Sequence, residues 1–449
     1  MRAPPPGPDL PRPLFLYHWF YRTYPFLEEC AQRYGEAFTI RIPGMRQAVV
    51  MHHPDAIKEV ITASPDDAHA GKLSTNMAPL LGKHSLLLLD GAEHLRQRKL
   101  LLPPLHGERM NAYGARIAEI TESSLDRWPV GREFPVHERF QAITLDVILR
   151  VVFGLDDPSL LEVVRARLLR LLDVGSNPWL LVPALQRDLG AWSPWGKFVR
   201  AIRDADELLY AEIGRRRAQG KSERDDVLTL LLQARDEQGQ GMTDKELRDE
   251  LTTLLVTGNE TTATSLAWAL RWILATPAVH ERLQQELAEG DASPERLVKL
   301  PYLDATVREV LRMQPVFPLI GRVVQRPLRI GGLDFEEGDG VILAFYLTHR
   351  RPELYSEPRR FHPERFLERK YGPTEWLPFG GGARRCIGMA LALYEMKIVL
   401  GTVLSRASLR LARDRVREVR RSLTIAPSEG LPVILERRRQ RGPRPGASN

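Results

Sequence analysis

The chain has 449 residues, 43% of them apolar, which supports a packed core and excludes an intrinsically disordered protein. Its two cysteines, Cys30 and Cys386, exclude a disulfide framework and point to a reducing cytosol. The net charge of +7 falls to +2 without residues 437–449, which hold five arginines and no acid, so the basicity belongs to a Pro/Gly/Arg tail expected to be disordered and does not mark a nucleic-acid-binding domain.

At about 150 residues per domain the length alone suggests two or three domains. No composition shift, long linker or internal repeat divides the chain, so a single domain over 1–449 is expected. Residues 1–13 are proline-rich, read as extended backbone and lack the apolar stretch of a signal peptide. The nearest approach to a membrane span, Leu251 to Leu274, carries Glu260 and Arg271. A cytoplasmic protein without a membrane anchor is expected.

In chain order, Phe26 to Tyr34 reads as a short helix ending at Gly35, with Cys30 in its packed face. Ala37 to Ile42 and Ala48 to Met51 read as strands of a small sheet. Pro54 to Ile61 begins with proline in a helix's first turn. Ser64 to Asp90 dissolves into Gly, Pro, Ser and His and reads as a long, functional loop. Within it, Gly82-Lys83 lacks the upstream glycine and the following Ser or Thr of a phosphate loop. Ala92 to Leu102 is predicted helical, with His94 and Arg98 four apart on one face. Further helices are predicted over 110–128, 137–153, 159–172, 194–218 and 225–237. The apolar link 173–193, which includes Trp179, reads as a lid.

The longest predicted helix opens after Met242 on Thr243-Asp244-Lys245-Glu246, a capping box, and stops at Thr276-Pro277. A rod of roughly 50 Å fits few folds unless it runs through the middle. Its centre reads Val256-Thr257-Gly258-Asn259-Glu260-Thr261-Thr262. A glycine, an acid and β-branched hydroxyls are poor choices for a buried helix interior, and such a local breach marks a functional site. Helices follow over 277–289 and 302–313, the latter with Glu309 and Arg312 on one face. Short strands follow over 323–324, 328–330 and 341–345, read as one sheet with the earlier pair. A Pro- and Arg-rich meander covers 350–378, and a last strand lies near 433–435.

Phe379-Gly380-Gly381-Gly382-Ala383-Arg384-Arg385-Cys386-Ile387-Gly388 leads straight into a helix-forming run from Met389. Consecutive glycines allow a tight turn and close approach of the backbone to another body. A cysteine near a helix N-terminus and flanked by cations favours the thiolate. Such a thiolate serves as a nucleophile, a metal ligand or a haem ligand. Zinc and iron–sulfur sites need several sulfur or nitrogen ligands, which two cysteines do not supply. A nucleophile needs a base from elsewhere in the fold. A haem iron needs one thiolate.

The stretch resembles the cysteine-loop signature of the cytochromes P-450, F-x-x-G-x-R-x-C-x-G, at Phe379, Gly382, Arg384, Cys386 and Gly388. The resemblance implies haem b with Cys386 as iron ligand, Arg384 at a propionate and Phe379 beside the sulfur. Val256 to Thr262 is similar to the family's oxygen-activation motif. There Glu260 and Thr261 are implied as the acid–alcohol pair that supplies protons, and Gly258 as the place where the helix opens. Thr257 stands where the family has a small residue, which narrows the oxygen pocket or reorganises its water. His94 and Arg98 match an H-x-x-x-R implied to meet the propionates, as is Arg322. Pro315 to Ile320 is implied to line the substrate pocket. Glu309 and Arg312 with Arg365 match the E-x-x-R and P-E-R-F motifs, implied as a buried charge network that holds the cysteine loop.

The implied fold is mainly α, a large helical domain around a long central helix with a smaller β-rich region near the N-terminus. The implied activity is that of a haem-thiolate monooxygenase using dioxygen on an apolar substrate, a fatty acid or terpenoid. With no fused flavin or iron–sulfur domain, electrons are expected from a separate ferredoxin or flavodoxin with its NAD(P)H reductase, steered by Arg359, Arg360 and Arg385 to a monomer. A peroxide-driven peroxygenase, a non-catalytic haem sensor and a cysteine hydrolase are the alternatives. The Glu260-Thr261 pair argues against the first.

Overall fold

The structure, a computed structural model, describes residues 4–42, 45–107, 109–175, 186–220, 224–421 and 424–439. Its axle is the helix Asp244–Ala275. The start is set by Thr243, whose hydroxyl accepts from the Glu246 N–H at 3.2 Å, while Glu246 Oε2 accepts from the Thr243 N–H at 2.7 Å. The end is set by Pro277, which opens the next helix, Pro277–Ala288. Its 32 residues span about 48 Å. Every side chain from Thr262 to Leu270 is buried, so neighbours are needed on all sides. The helices Val136–Val147, Pro301–Met313 and Met389–Arg406 and the strand Thr424–Pro427 supply them.

The axle runs as unbroken α-helix through Gly258, so no opening is seen there. The glycine serves packing instead, since a Cβ would lie 3.3 Å from Ile148 Cδ1. Ile148 begins a π-helical turn, Ile148–Val152, so the regular helix expected over 137–153 ends at Val147.

The N-terminal sheet has five strands, in the order Ala37–Ile40, Ala48–Met51, Gly340–Leu343, Ile320–Val324, Ala68–His69. Val341 lies between Val49 on a parallel neighbour and Arg322 on an antiparallel one, which fixes the place of Arg322. The strand Leu328–Ile330 is not part of this sheet. It pairs with Leu333–Phe335 across Gly331 and Gly332, whose φ values of 56° and 75° close a tight hairpin. Phe345 opens a helical turn, Phe345–Thr348, rather than ending a strand.

Other elements depart from expectation in understandable ways. Pro13 sits in the first turn of a helix, Arg12–Tyr21, so the extended segment is shorter than expected. The loop 64–90 contains a two-residue strand, a 3₁₀ segment Gly71–Met77 and one helical turn, Ala78–Leu81. The helix expected over 225–237 is Val227–Gln233, because Asp226 caps it by accepting from the Thr229 N–H at 2.9 Å. Trp179 and the rest of 176–185 in the expected lid, and the tail from 440 on, lie outside the described residues. Cys30 is buried in the helix Thr23–Tyr34, and burial, with Glu29 beside it, pushes its thiol up to about 12, as befits a packing residue.

The meander 350–378 is tied down by buried charge. Arg312 grips Glu309 with two bonds of 2.7 and 2.8 Å, and Arg365 Nε reaches Glu309 Oε1 at 3.1 Å. Arg312 also donates to the carbonyls of His349 and Pro358 at 2.7 and 2.9 Å. His349 in turn accepts from the Leu377 N–H at 2.9 Å, two residues before Phe379. The network therefore reaches the base of the cysteine loop.

Candidate active site

The cysteine loop is shaped by its backbone. Gly380 and Gly382 have φ values of 70° and 62°, a region costly for any residue with a Cβ. A Cβ at Gly382 would also fall 1.9 Å from the Ile61 carbonyl oxygen. The close approach read from the glycines is thus made, at this residue, against the helix Pro54–Thr62. The Cys386 N–H donates to the Phe379 carbonyl at 2.9 Å, closing the loop, and Gly388 precedes the helix Met389–Arg406. Phe379 lies edge-on to Trp376, with ring centroids 5.9 Å apart.

Cys386 presents an accessible face, yet its sulfur is ringed by protein atoms. Burial pushes its thiol up, against the pull of the Gly388 N–H, Arg98, the Met389 N–H and Arg385. The helix end and the flanking cations favour the thiolate, as read from sequence, but burial outweighs them. A cation bound at the sulfur would favour the anionic form.

His94, Arg98, Arg322 and Arg384 come together, as expected from sequence. His94 is buried with no hydrogen-bond partner at Nδ1. Burial first, then Arg384, Arg98 and Arg322, push its pKa down to about 3. Arg322, deeply buried, has its pKa lowered to about 10 by burial and by Arg384. Arg98 donates to the Arg385 carbonyl at 2.6 Å and feels Cys386. Arg384 donates to the Leu86 carbonyl at 3.2 Å and to the Leu89 carbonyl and the Asp90 carboxylate. Asp90 was not foreseen. It offsets one of three guanidiniums, so the cluster retains an excess of positive charge suited to an anionic group.

Glu260 and Thr261 share no hydrogen bond. Thr261 donates back to the Thr257 carbonyl at 2.6 Å, and Thr257 to the Thr253 carbonyl at 2.7 Å. Glu260 faces the other way, accepting from Gln141 Nε2 at 2.6 Å and from Thr264 Oγ1 at 3.3 Å. Burial pushes its carboxyl up, opposed by Arg421, Gln141 and Thr264. Gln141 and Arg421 had no signal in the sequence near Glu260, whereas Thr264, one helical turn on, was within reach of the i,i+4 rule. Among the described residues no cluster of three or more His, Cys, Asp or Glu is placed to hold a metal ion. A metal at Cys386 therefore has to bring its remaining ligands with it, as a porphyrin does.

The family model "Cytochrome P450" matches residues 5–430. The chain belongs to the cytochrome P-450 family. It is 39% identical over 409 residues to cytochrome P-450 135B1 of Mycobacterium tuberculosis, covering 90% of this chain and 85% of that one. It is 34% identical over 441 residues to cytochrome P-450 135A1 of the same organism, covering 97% and 96%. Among solved structures it resembles the cyanobacterial CYP120A1 with retinoic acid bound, with a TM-score of 0.83, 26% identity and coverage of 97% and 99%. The mainly α architecture around a central helix is thus the P-450 fold. Membership implies haem b and the general activity of a haem-thiolate monooxygenase. The site fits that group: one thiol, an orphaned buried imidazole nitrogen and three arginines beside one carboxylate. No helix among the described residues is long and apolar enough to cross a membrane.

Proposed function

We propose that this P-450 hydroxylates a long apolar molecule with dioxygen, drawing electrons from a separate ferredoxin or flavodoxin and its NAD(P)H reductase. In this reading the chain acts as one domain, a cytoplasmic monomer. The observation that carries the reading is the pairing of a single cysteine on a rigid glycine loop with the convergence of His94, Arg98, Arg322 and Arg384. Cys386 would hold the haem iron, while the three arginines and His94 would hold the propionates. Phe379 would shield the sulfur, and Gly382 and Gly388 would let the loop sit close. When bound, the haem supplies oxygen activation and C–H oxidation.

The chain's own residues then position, exclude water and handle protons. Glu260 is a half-buried carboxyl whose pKa is raised, the property of a group that both takes and gives a proton. Thr261 would pass that proton on by releasing the Thr257 carbonyl. The Thr257 hydroxyl already donates along the helix, so it narrows the space without adding a free donor. Glu260→Gln is expected to keep NAD(P)H oxidation but lower product by about 10², with electrons lost to peroxide. Equal product in the variant would remove this role. Activity with peroxide alone, and none with a reduced ferredoxin, would favour the peroxygenase reading.

The loop 64–90 and the link Pro315 to Ile320 would select the substrate, and Leu86 to Leu89, Val316 and Leu319 give them an apolar character. The retinoic acid in the cyanobacterial relative supports an extended terpenoid or fatty acid as the class to screen. For the electron donor, Arg359 is paired with Glu28 at 2.6 Å and Arg360 with Glu357 at 2.9 Å. Arg385, exposed beside Cys386, is therefore the stronger candidate for steering an acidic partner. Arg385→Glu is expected to slow reduction about tenfold at low salt and much less at 1 M salt, where the screening length is about 3 Å. Stopped-flow reduction rates that match wild type at low salt would discount the patch.

A further inference from the structure

We infer that His137 is a positioning residue for Glu260, locked into a single tautomer by Arg421. The inference rests on the reading of Glu260 as proton source and deepens it.

Arg421 Nη1 lies 2.8 Å from His137 Nδ1. A guanidinium has donors and no acceptor, so Nδ1 must offer its lone pair. The imidazole proton therefore sits on Nε2. That nitrogen lies 3.1 Å from Thr264 Oγ1 and 3.5 Å from Glu260 Oε1. Nε2–H donates to the Thr264 hydroxyl, which leaves the hydroxyl's own proton for Glu260 Oε1 at 3.3 Å. Gln141 donates to the other carboxyl oxygen. Every hydrogen bond in the line thus runs one way, from Arg421 to the carboxyl.

Two further observations support the assignment. Thr253, Thr257, Thr261 and Ser265 all donate to the carbonyl four residues back, the default for a hydroxyl inside a helix. Thr264 instead donates to the Glu260 side chain, so it has been recruited. His137 is fully buried, and burial together with Arg421 lowers its pKa to about 3, so the ring stays neutral and keeps its one-way polarity. Arg421 is exposed, and a guanidinium carries donors with no acceptor. The line therefore orients the acid and does not feed it protons.

The consequence is a carboxyl held with both oxygens accepting on the side of the helix Val136–Val147, away from Thr261. Its orientation depends on a residue from the Glu418–Arg421 strand, far away in sequence.

The test uses the haem-loaded full chain. In wild type, ¹⁵N imidazole shifts of His137 are expected to show the Nε2–H tautomer alone. In Arg421→Leu, a change at an exposed site, the tautomers are expected to mix. His137→Gln preserves the polarity, since its amide oxygen accepts from Arg421 and its amide N–H donates to Thr264. It is expected to keep the ratio of product to NAD(P)H consumed near wild type, whereas His137→Leu and Arg421→Leu lower that ratio severalfold. An Nδ1–H tautomer or a mixture in wild type would overturn the inference. So would full coupling in Arg421→Leu with the tautomers mixed. Glu260→Gln is run alongside: if it alone is fully coupled, the role of Glu260 fails, while the tautomer measurement still decides whether Arg421 locks His137.

Discussion

Cys386→His is expected to bring substrate hydroxylation to background while leaving a folded protein that still takes up haem. The loop is held by backbone features that the exchange does not touch: the Cys386 N–H on the Phe379 carbonyl, and Gly380 and Gly382 in the left-handed region. The arginines and His94 that suit the propionates are also unchanged. What is lost is sulfur, and with it the electron density that a thiolate lends to iron. The spectrum of the reduced carbon-monoxide complex reports the ligand directly and should lose its thiolate signature. The surroundings of Cys386 sharpen this expectation. Burial pushes its thiol up in spite of two N–H groups and two arginines, and a cation bound at the sulfur would favour the thiolate. A variant that kept both its hydroxylation rate and a thiolate spectrum would refute the assignment, because Cys30, buried in the helix Thr23–Tyr34 with its pKa raised to about 12, cannot stand in.

The parts of this site that were legible in the sequence are those whose cause is local. Thr243 with Glu246, and Pro277 beyond, set both ends of the central helix within a few residues, so its bounds were read almost to the residue. The glycine run from 380 to 382 marks the tight turn, and His94 with Arg98 follow from helical spacing. What stayed hidden depends on chain segments that meet only in the fold. Asp90 beside Arg384 spans almost 300 residues, and Arg421 on His137 spans nearly as many. The desolvation of Cys386 is hidden for the same reason, whereas its flanking cations are visible in sequence. The hairpin that carries Arg421 was missed because Glu418–Arg421 is mostly charged and lacks the alternation of a half-buried strand.

The largest stability effect is expected at Arg312. Its guanidinium is 0% exposed, as is the Glu309 carboxylate it grips, and Arg365 beside them is 3% exposed. Removal by Arg312→Ala strands Glu309 on a single weaker partner, Arg365 at 3.1 Å, plus the His362 N–H at 3.0 Å. It also leaves the carbonyls of His349 and Pro358 without their donor. Breaking such a buried pair costs about 3–5 kcal/mol, against a typical total of roughly 5–15 kcal/mol. Orphaned carbonyls add to that cost. Arg312→Ala is therefore expected to yield little soluble, haem-loaded protein and a much lower melting temperature. Arg312→Lys keeps the charge and loses the two-pronged grip, so it should fall between the two. The scaffold role makes a second demand. Whatever Arg312→Lys protein does fold should form product per NAD(P)H as efficiently as wild type, because the network meets the cysteine loop through His349 and Leu377 and touches none of Glu260, Thr261 or His94. A stable Arg312→Ala protein, or a well-folded Arg312→Lys protein that wastes its electrons, would move the triad from holding the loop to taking part in the chemistry.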